Sequence, residues 1–173
     1  VYPTLLKTLT GLNPLMFLRK MREPMLVAFS TSSSGATLPV TLRTVEHRIG
    51  VNNDVAAFAV PLGATINMDG TAIMQGVATV FIAQFFGYQL GIDAYLMVIL
   101  TATLASIGTA AVPGVGLITL TLVLDQVGLP VEGIGLIIGV DRLLDMLRTV
   151  VNVTGDGTVA TIVAKSEDQL NVE

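Results

Sequence analysis

The chain has 173 residues, of which 52% are hydrophobic and only 13% charged, with a mean hydropathy of +0.75. Soluble domains carry about 25% charged residues, so long stretches of this chain belong in a bilayer or a very large core, and its size favours the bilayer. A net charge of −4 without a basic stripe argues against nucleic acid as a partner, and the lack of cysteine excludes a disulfide framework and a thiolate metal site.

Residues 1–22 read as the end of a preceding transmembrane segment and a linker, with a helix start at Asn13-Pro14. The opening string is apolar and begins with Val rather than Met, with no signal-peptide pattern, so a fragment of a longer protein is expected. The main body covers 23–164. Residues 23–48 hold two short apolar pieces around a Ser/Gly run from Ser30 to Pro39, and neither piece reaches the roughly 20 residues that cross a bilayer. By itself such a run is a flexible loop. Between pieces too short to cross, it reads as the tip of a helical hairpin, with hydroxyl and N–H groups available to an anion. Ser33 or Ser34 as a hydrolase nucleophile is disfavoured: the single histidine, His47, lies in a polar stretch outside the apolar sequence, and no Ser/Lys pair is in view.

Residues 54–87 form a long apolar segment broken at Gly63-Ala-Thr65-Ile-Asn67-Met68-Asp69-Gly70-Thr71. Unwound backbone at membrane depth is tolerated where it lines a cavity or is buried in protein. Residues 95–128 repeat the hairpin, with a small-residue tip from Ser106 through Val112-Pro113-Gly114 to Gly116, suited both to close helix packing and to hinge motion. A last helix covers 131–164, and 165–173 reads as a polar, mobile tail.

Lys7, Arg19, Lys20, Arg22, Arg43 and Arg48 all precede residue 50, and no Lys or Arg occurs between 51 and 141. The positive-inside rule then puts both ends of the first hairpin on the cytoplasmic side and those of the second, near Asp93 and Asp125, outside. Each hairpin is thus re-entrant. Hairpin, broken helix, hairpin and polar-faced helix form a weak inverted repeat, the plan of secondary transporters with a midplane site.

Asp141, Asp145, Arg148, Thr149, Asn152 and Asp156 fall at offsets 0, 4, 7, 8, 11 and 15, one face of the last helix. Ionisable groups at membrane depth line a bundle interior or a solute path. Arg148 either pairs internally with Asp145 or Asp141, or holds a substrate carboxylate bidentately while Asp145 accepts an ammonium. Arg142, off that face, is expected to pair with an acid or to snorkel, and Asp141 to pair with Arg142 or Arg148 or to influence cation access. Alone, Asn67-Met68-Asp69-Gly70-Thr71 is equally a kink with a capping Asp. With Asn152 and Asp156 on a later helix it becomes a set of hard oxygen donors suited to sodium.

Taken in order, Thr31-Ser-Ser-Ser-Gly-Ala-Thr-Leu-Pro39, Asn67-Met-Asp-Gly-Thr71, Ala105-Ser-Ile-Gly-Thr109 with Val112-Pro-Gly114, and Asp145-Met-Leu-Arg148-Thr149-Val-Val-Asn152-Val-Thr-Gly-Asp156 span nearly the whole chain. They closely resemble the glutamate/aspartate transporter family, the dicarboxylate/amino acid:cation symporters that include the excitatory amino-acid transporters. The resemblance implies an all-α membrane protein, with two re-entrant helical hairpins plus a broken and a polar-faced transmembrane helix forming an inverted-repeat transport domain. It implies sodium-coupled transport of L-aspartate or L-glutamate, not enzymatic activity, in a multi-pass plasma-membrane protein. The partners it implies are the lipid bilayer and N-terminal scaffold helices missing from this sequence, with a homotrimer as the full-length state.

By the same resemblance, Arg148 with Thr71 would bind the substrate side-chain carboxylate, and Asp145 with Thr149 its amino group. Asn152, Ser34 and the backbone around Val112 and Gly116 would hold its main-chain carboxylate. One sodium site would use Gly63, Asn67, Asn152 and Asp156; a second Thr65, Ser106, Ile107 and Thr109; a third Asp69 with an earlier helix. Where family members carry a further Arg, Ser32 and Met146 stand here, which puts a counter-transported potassium in question. Ala111 replaces a common Gly in the second tip and would stiffen it. The rival readings are a proton-coupled glutamate or C4-dicarboxylate symporter and a non-transporting structural or interaction fragment.

Overall fold

The structure, a computed structural model, describes residues 1–171. In chain order the helices are α1 (Tyr2–Thr10), α2 (Pro14–Lys20), α3 (Arg22–Thr31), α4 (Ser34–Thr44), α5 (Asn53–Ile66), α6 (Asp69–Phe85), α7 (Ile92–Ser106), α8 (Val115–Gln126) and α9 (Ile138–Ser166). A π-helical turn over Val45–Ile49 follows α4, and a 3-10 turn over Val131–Leu136 precedes α9. The protein is all-α.

Local chemistry sets the breaks. Asn13 accepts from the Leu15 N–H and Pro14 fills the first turn of α2, a position where its missing donor costs nothing. α3 stops at Ser32, which turns left-handed at φ 52°, and Ser33 then caps α4 by accepting from the Ala36 N–H. The two helices pack on each other as a hairpin, as do α7 and α8. Between α5 and α6 the backbone leaves helical geometry at Asn67 and Met68.

The 29-residue α9 is the axis of the molecule and packs against α1, α3, α4, α5, α6 and α8. Two apolar clusters form along it. Phe17, Met21, Ala28, Val45 and Val60 close around Val153 and Ala160 in its second half. Ile82, Val98, Leu120, Leu124 and Leu129 close around Ile137 at its start. The polar face from Asp141 to Asp156 is buried between them. The exterior is apolar instead: Phe58 is 71% exposed, and Ile73, Val77, Phe85, Ile99, Ile118 and Ile138 are also open. No helix among the described residues is long and apolar enough to cross a membrane by itself.

Two features differ from the sequence reading. The last helix starts at Ile138 rather than near 131, because Pro130 and the glycines at 133 and 135 favour the tighter 3-10 turn. The tail expected to be mobile is docked as far as Asn171: Leu170 bridges Val51, Asn52 N–H donates to the Gln169 carbonyl, and Asn171 N–H donates to the Gly50 carbonyl. Gly50 and Val51 spend their N–H groups on the Val45 carbonyl, and the tail pairs the Gly50 carbonyl and the Asn52 N–H. Residues 172–173 of the expected tail lie outside the described residues.

Gly133 is a packing requirement. A Cβ there would strike Cγ2 of the fully buried Ile82 and lie 3.2 Å from its Cγ1, whereas one on Gly135 would meet nothing within 4 Å. Gly133→Ala is therefore expected to lower stability by about 1–3 kcal/mol, the cost of overpacking a core, and Gly135→Ala to leave thermal unfolding unchanged. Equal melting temperatures for the two variants would contradict this packing.

Candidate functional site

Four elements converge on the middle of α9. Arg148, only 5% exposed, donates through Nε to Asp145 Oδ1 at 2.8 Å. Its Nη2 lies 2.8 Å from the same oxygen, at an angle that makes no hydrogen bond, and Nη1 stands 3.7 Å from Asp141 Oδ1. Both terminal nitrogens are thus buried with unused donors, and Asp141 Oδ1 likewise lacks a hydrogen bond. Arg142 is exposed.

The second hairpin tip, between α7 and α8, covers this pair. Gly114 N–H donates to Asp145 Oδ2 at 2.8 Å, and Gly116 lies so close to the guanidinium that a Cβ would collide with Nη1. The first tip closes against the second. Ser33 Oγ donates to the Ala111 carbonyl at 2.6 Å and Gly35 N–H to the same oxygen at 3.2 Å. From the broken helix, Gly70 presses onto the Arg148 backbone, where a Cβ would strike the carbonyl oxygen, and its N–H donates to Asn152 Oδ1 at 2.8 Å. Asn152 Nδ2 reaches Thr71 Oγ1 at 3.4 Å.

Ser32, Ser34, Thr71, Val112, Asp145, Arg148, Thr149 and Asn152 line one cavity with room for about one water molecule. With Gly116 beside the guanidinium, the eight residues assigned to substrate by resemblance come together. A larger groove of about 610 Å³ runs outside α6 and α9, is lined by Ile73, Val77, Phe81, Val140 and Leu147, and reaches the site at Gly70 and Arg148.

The residues read as cation donors gather on the other side of the helix break. Asn67 Nδ2 donates to Asp156 Oδ1 at 3.1 Å, and that oxygen lies 2.7 Å from where a Gly63 Cβ would stand. The carboxylate therefore sits directly over the last turn of α5. Asn152 lies one turn before Asp156 on α9 but spends its carbonyl on Gly70. Thr65 meets the second tip, its carbonyl accepting from the Gly108 N–H at 2.9 Å. Ser106 and Thr109 turn their hydroxyls onto the Thr103 and Ala105 carbonyls, and Ile107 ends α7. Asp69 accepts from the Tyr2 hydroxyl at 2.5 Å. Among the described residues no three His, Cys, Asp or Glu side chains converge as a metal cluster. A cation here would draw on one carboxylate at a time with amide and carbonyl oxygens, a hard donor set that fits sodium.

Several participants escape a reading by residue type. Gly70, Gly114 and Ala111 act through backbone atoms or through the absence of a side chain, and Ser33, not Ser34, ties the tips together. Tyr2 sits in a string read as the end of a preceding transmembrane segment.

The profile of the family described as "Sodium:dicarboxylate symporter family" matches residues 1–166. Among curated proteins, the chain is 49% identical to an excitatory amino acid transporter of Caenorhabditis elegans, over 93% of this chain and 32% of that protein. It is 47% identical to excitatory amino acid transporter 3 of Mus musculus, over 99% of this chain and 34% of that protein. It is 45% identical to excitatory amino acid transporter 5 of Homo sapiens, over 95% and 29% respectively. The chain thus spans about a third of the length of these relatives, which by name are transporters and not enzymes. By the extent of the match, it belongs to the sodium:dicarboxylate symporter family.

Proposed function

We propose that this chain is the substrate- and ion-binding part of a secondary transporter that couples movement of an acidic amino acid, L-aspartate or L-glutamate, to sodium. One observation carries the reading: the buried Arg148 guanidinium has two terminal nitrogens without hydrogen bonds, beside Asp145 in a cavity between two hairpin tips. Buried donors left unpaired are costly. A substrate carboxylate would satisfy both at once in the fork geometry that arginine prefers.

The same geometry favours a zwitterion with a second carboxylate. Pulling Arg148 towards a substrate loosens its ion pair with Asp145, and an uncompensated buried charge costs about 3–5 kcal/mol. A substrate ammonium against Asp145 and Thr149 restores the balance, so one internal pair is exchanged for two with the ligand. A C4-dicarboxylate brings no ammonium and would leave Asp145 unpaired. Asn152, Ser34 and backbone N–H groups of the second tip are left for the main-chain carboxylate, with Thr71 beside the side-chain carboxylate. No bond is made or broken.

A cavity with room for about one water molecule implies gating. An amino acid does not fit between the tips until the contact of Ser33 and Gly35 with the Ala111 carbonyl opens. Gly63, Asn67, Asn152 and Asp156 form the first proposed sodium site; Thr65, Ser106, Ile107 and Thr109 the second; Asp69 belongs to a third. Sodium in these places would neutralise Asp156 and Asp69 and hold the broken helix against the second tip.

The apolar exterior and open groove suit a multi-pass protein whose remaining surface is covered by lipid and by scaffold helices outside this sequence, in a homotrimer at the plasma membrane. With 10, 11, 15 and 12 residues, the hairpin helices are about 15 to 23 Å long against a hydrocarbon core of about 30 Å. Helices of this length fit re-entry from one side.

Calorimetry on the purified protein tests the ligand. Aspartate or glutamate should bind in sodium and lose most of its affinity when choline replaces it. No binding in either salt would remove the symporter reading, and binding that follows pH and ignores sodium would assign the coupling to protons. Arg148→Cys should weaken acidic-substrate binding by at least about thirtyfold, the lower end expected for truncating one partner of a buried charge pair. An unchanged dissociation constant would leave Arg148 with a structural role only.

A further inference from the structure

We propose that the Tyr2 hydroxyl is a positioning group for a coupling cation, holding one oxygen of the Asp69 carboxylate so that the other is presented to the ion. This rests on the assignment of Asp69 to a sodium site made above. Tyr2 Oη donates to Asp69 Oδ2 at 2.5 Å across 67 residues of sequence, and no described residue donates to Oδ1. The carboxylate is thereby used asymmetrically, with one oxygen fixed by a neutral donor and one left open. A carboxylate ligand constrained in this way is already oriented when the ion arrives. Loss of such an outer partner typically lowers metal affinity 10- to 100-fold.

A separate observation places Tyr2 in the same assembly as the other cation donors. A Cβ on Gly155 would collide with both Tyr2 Oη and Asn67 Nδ2. Only glycine at 155 lets α1 and the helix break approach α9 together, and the Asn67 amide that lies there is the one bonded to Asp156. Tyr2 and Asn67 thus share one cradle, each holding one acid, Asp69 and Asp156. Tyr2 also lines a small pocket with Pro3, Leu6, Pro14 and Phe17, and substitutions that keep or remove the ring distinguish the hydroxyl from the rest of the side chain.

Tyr2→Phe keeps the ring and removes the donor. Sodium titrated calorimetrically without substrate should bind about tenfold more weakly to Tyr2→Phe than to the wild type. The sodium concentration for half-maximal aspartate binding should rise, while aspartate affinity at saturating sodium stays at the wild-type value. Gly155→Ala should shift the sodium dependence in the same direction. Wild-type sodium dependence in Tyr2→Phe, or tighter sodium binding, would overturn the proposal. So would a shift seen in Tyr2→Leu but not in Tyr2→Phe, which would assign Tyr2 to packing. If wild-type aspartate binding proves independent of sodium, the sodium assignment falls and takes this proposal with it. Sodium dependence that Tyr2→Phe leaves unmoved overturns this proposal alone.

Discussion

Ions such as Asp145 and Arg148, only 3% and 5% exposed, cost several kcal/mol each to bury unless their partners are close and well aligned. The architecture follows from meeting that requirement on α9. Arg148 supplies one partner of Asp145 and the second hairpin tip supplies the other, through Gly114 N–H. One turn further on, Asn152 is held by the start of α6. Another turn on, Asp156 takes the Asn67 amide from the end of α5. An unbroken helix over 53–85 would have its N–H groups paired internally, with none to offer Asn152. The interruption at Asn67 and Met68 frees polar groups where α9 needs them.

Close approach is the second condition, and glycine meets it. Gly63 lies beneath the Asp156 carboxylate, Gly70 against the Arg148 backbone, Gly116 against the guanidinium and Gly155 against Tyr2 and Asn67. In each case a methyl group would occupy space held by a polar atom of the site. These glycines act by the absence of a side chain and not by backbone freedom, since none of the four adopts a positive φ. Together they let charged and amide groups from five helices pack without intervening solvent, in surroundings where each electrostatic contact is stronger than in water.

Much of this was legible in the sequence because it depends on period and length. The offsets from Asp141 to Asp156 identify one helical face, and the structure buries that face except for small remnants. The short apolar pieces around Ser30–Pro39 are too short for single spans and belong to the paired helices α3 and α4, which also take in most of that run and leave only Ser32 and Ser33 between them. What period cannot show is which backbone atom meets which side chain. The Ala111 carbonyl and Gly114 N–H carry no residue-type signal, and Tyr2 lies 67 positions from its partner. The helix start near 131 failed for a local reason, the two glycines after Pro130 that tighten the chain into a 3-10 turn. The tail to Asn171 was misread because polar composition says nothing about backbone pairing with Gly50 and Asn52.

The two hairpin tips are alike in plan but not in attachment. In the first, Ser34, Thr37, Thr41 and Thr44 put one whole face of α4 into the interior, and Thr37 and Thr41 satisfy their hydroxyls on their own helix. In the second, Val112 and Pro113 are exposed. That tip is joined to the rest of the site by the packing of Gly116 on the Arg148 guanidinium and by hydrogen bonds: Gly108 to Thr65, Gly114 to Asp145, and Ser33 and Gly35 to the Ala111 carbonyl. Each such bond contributes about 0.5–1.5 kcal/mol net, and somewhat more where a carboxylate accepts. Breaking these hydrogen bonds costs a few kcal/mol, the range in which a minor state remains populated. Moving the first would expose buried helix surface along all of α4. The bond from Gly114 to Asp145 adds a direct coupling between tip and site, because a cation drawn to Asp145 competes with that N–H for the same carboxylate.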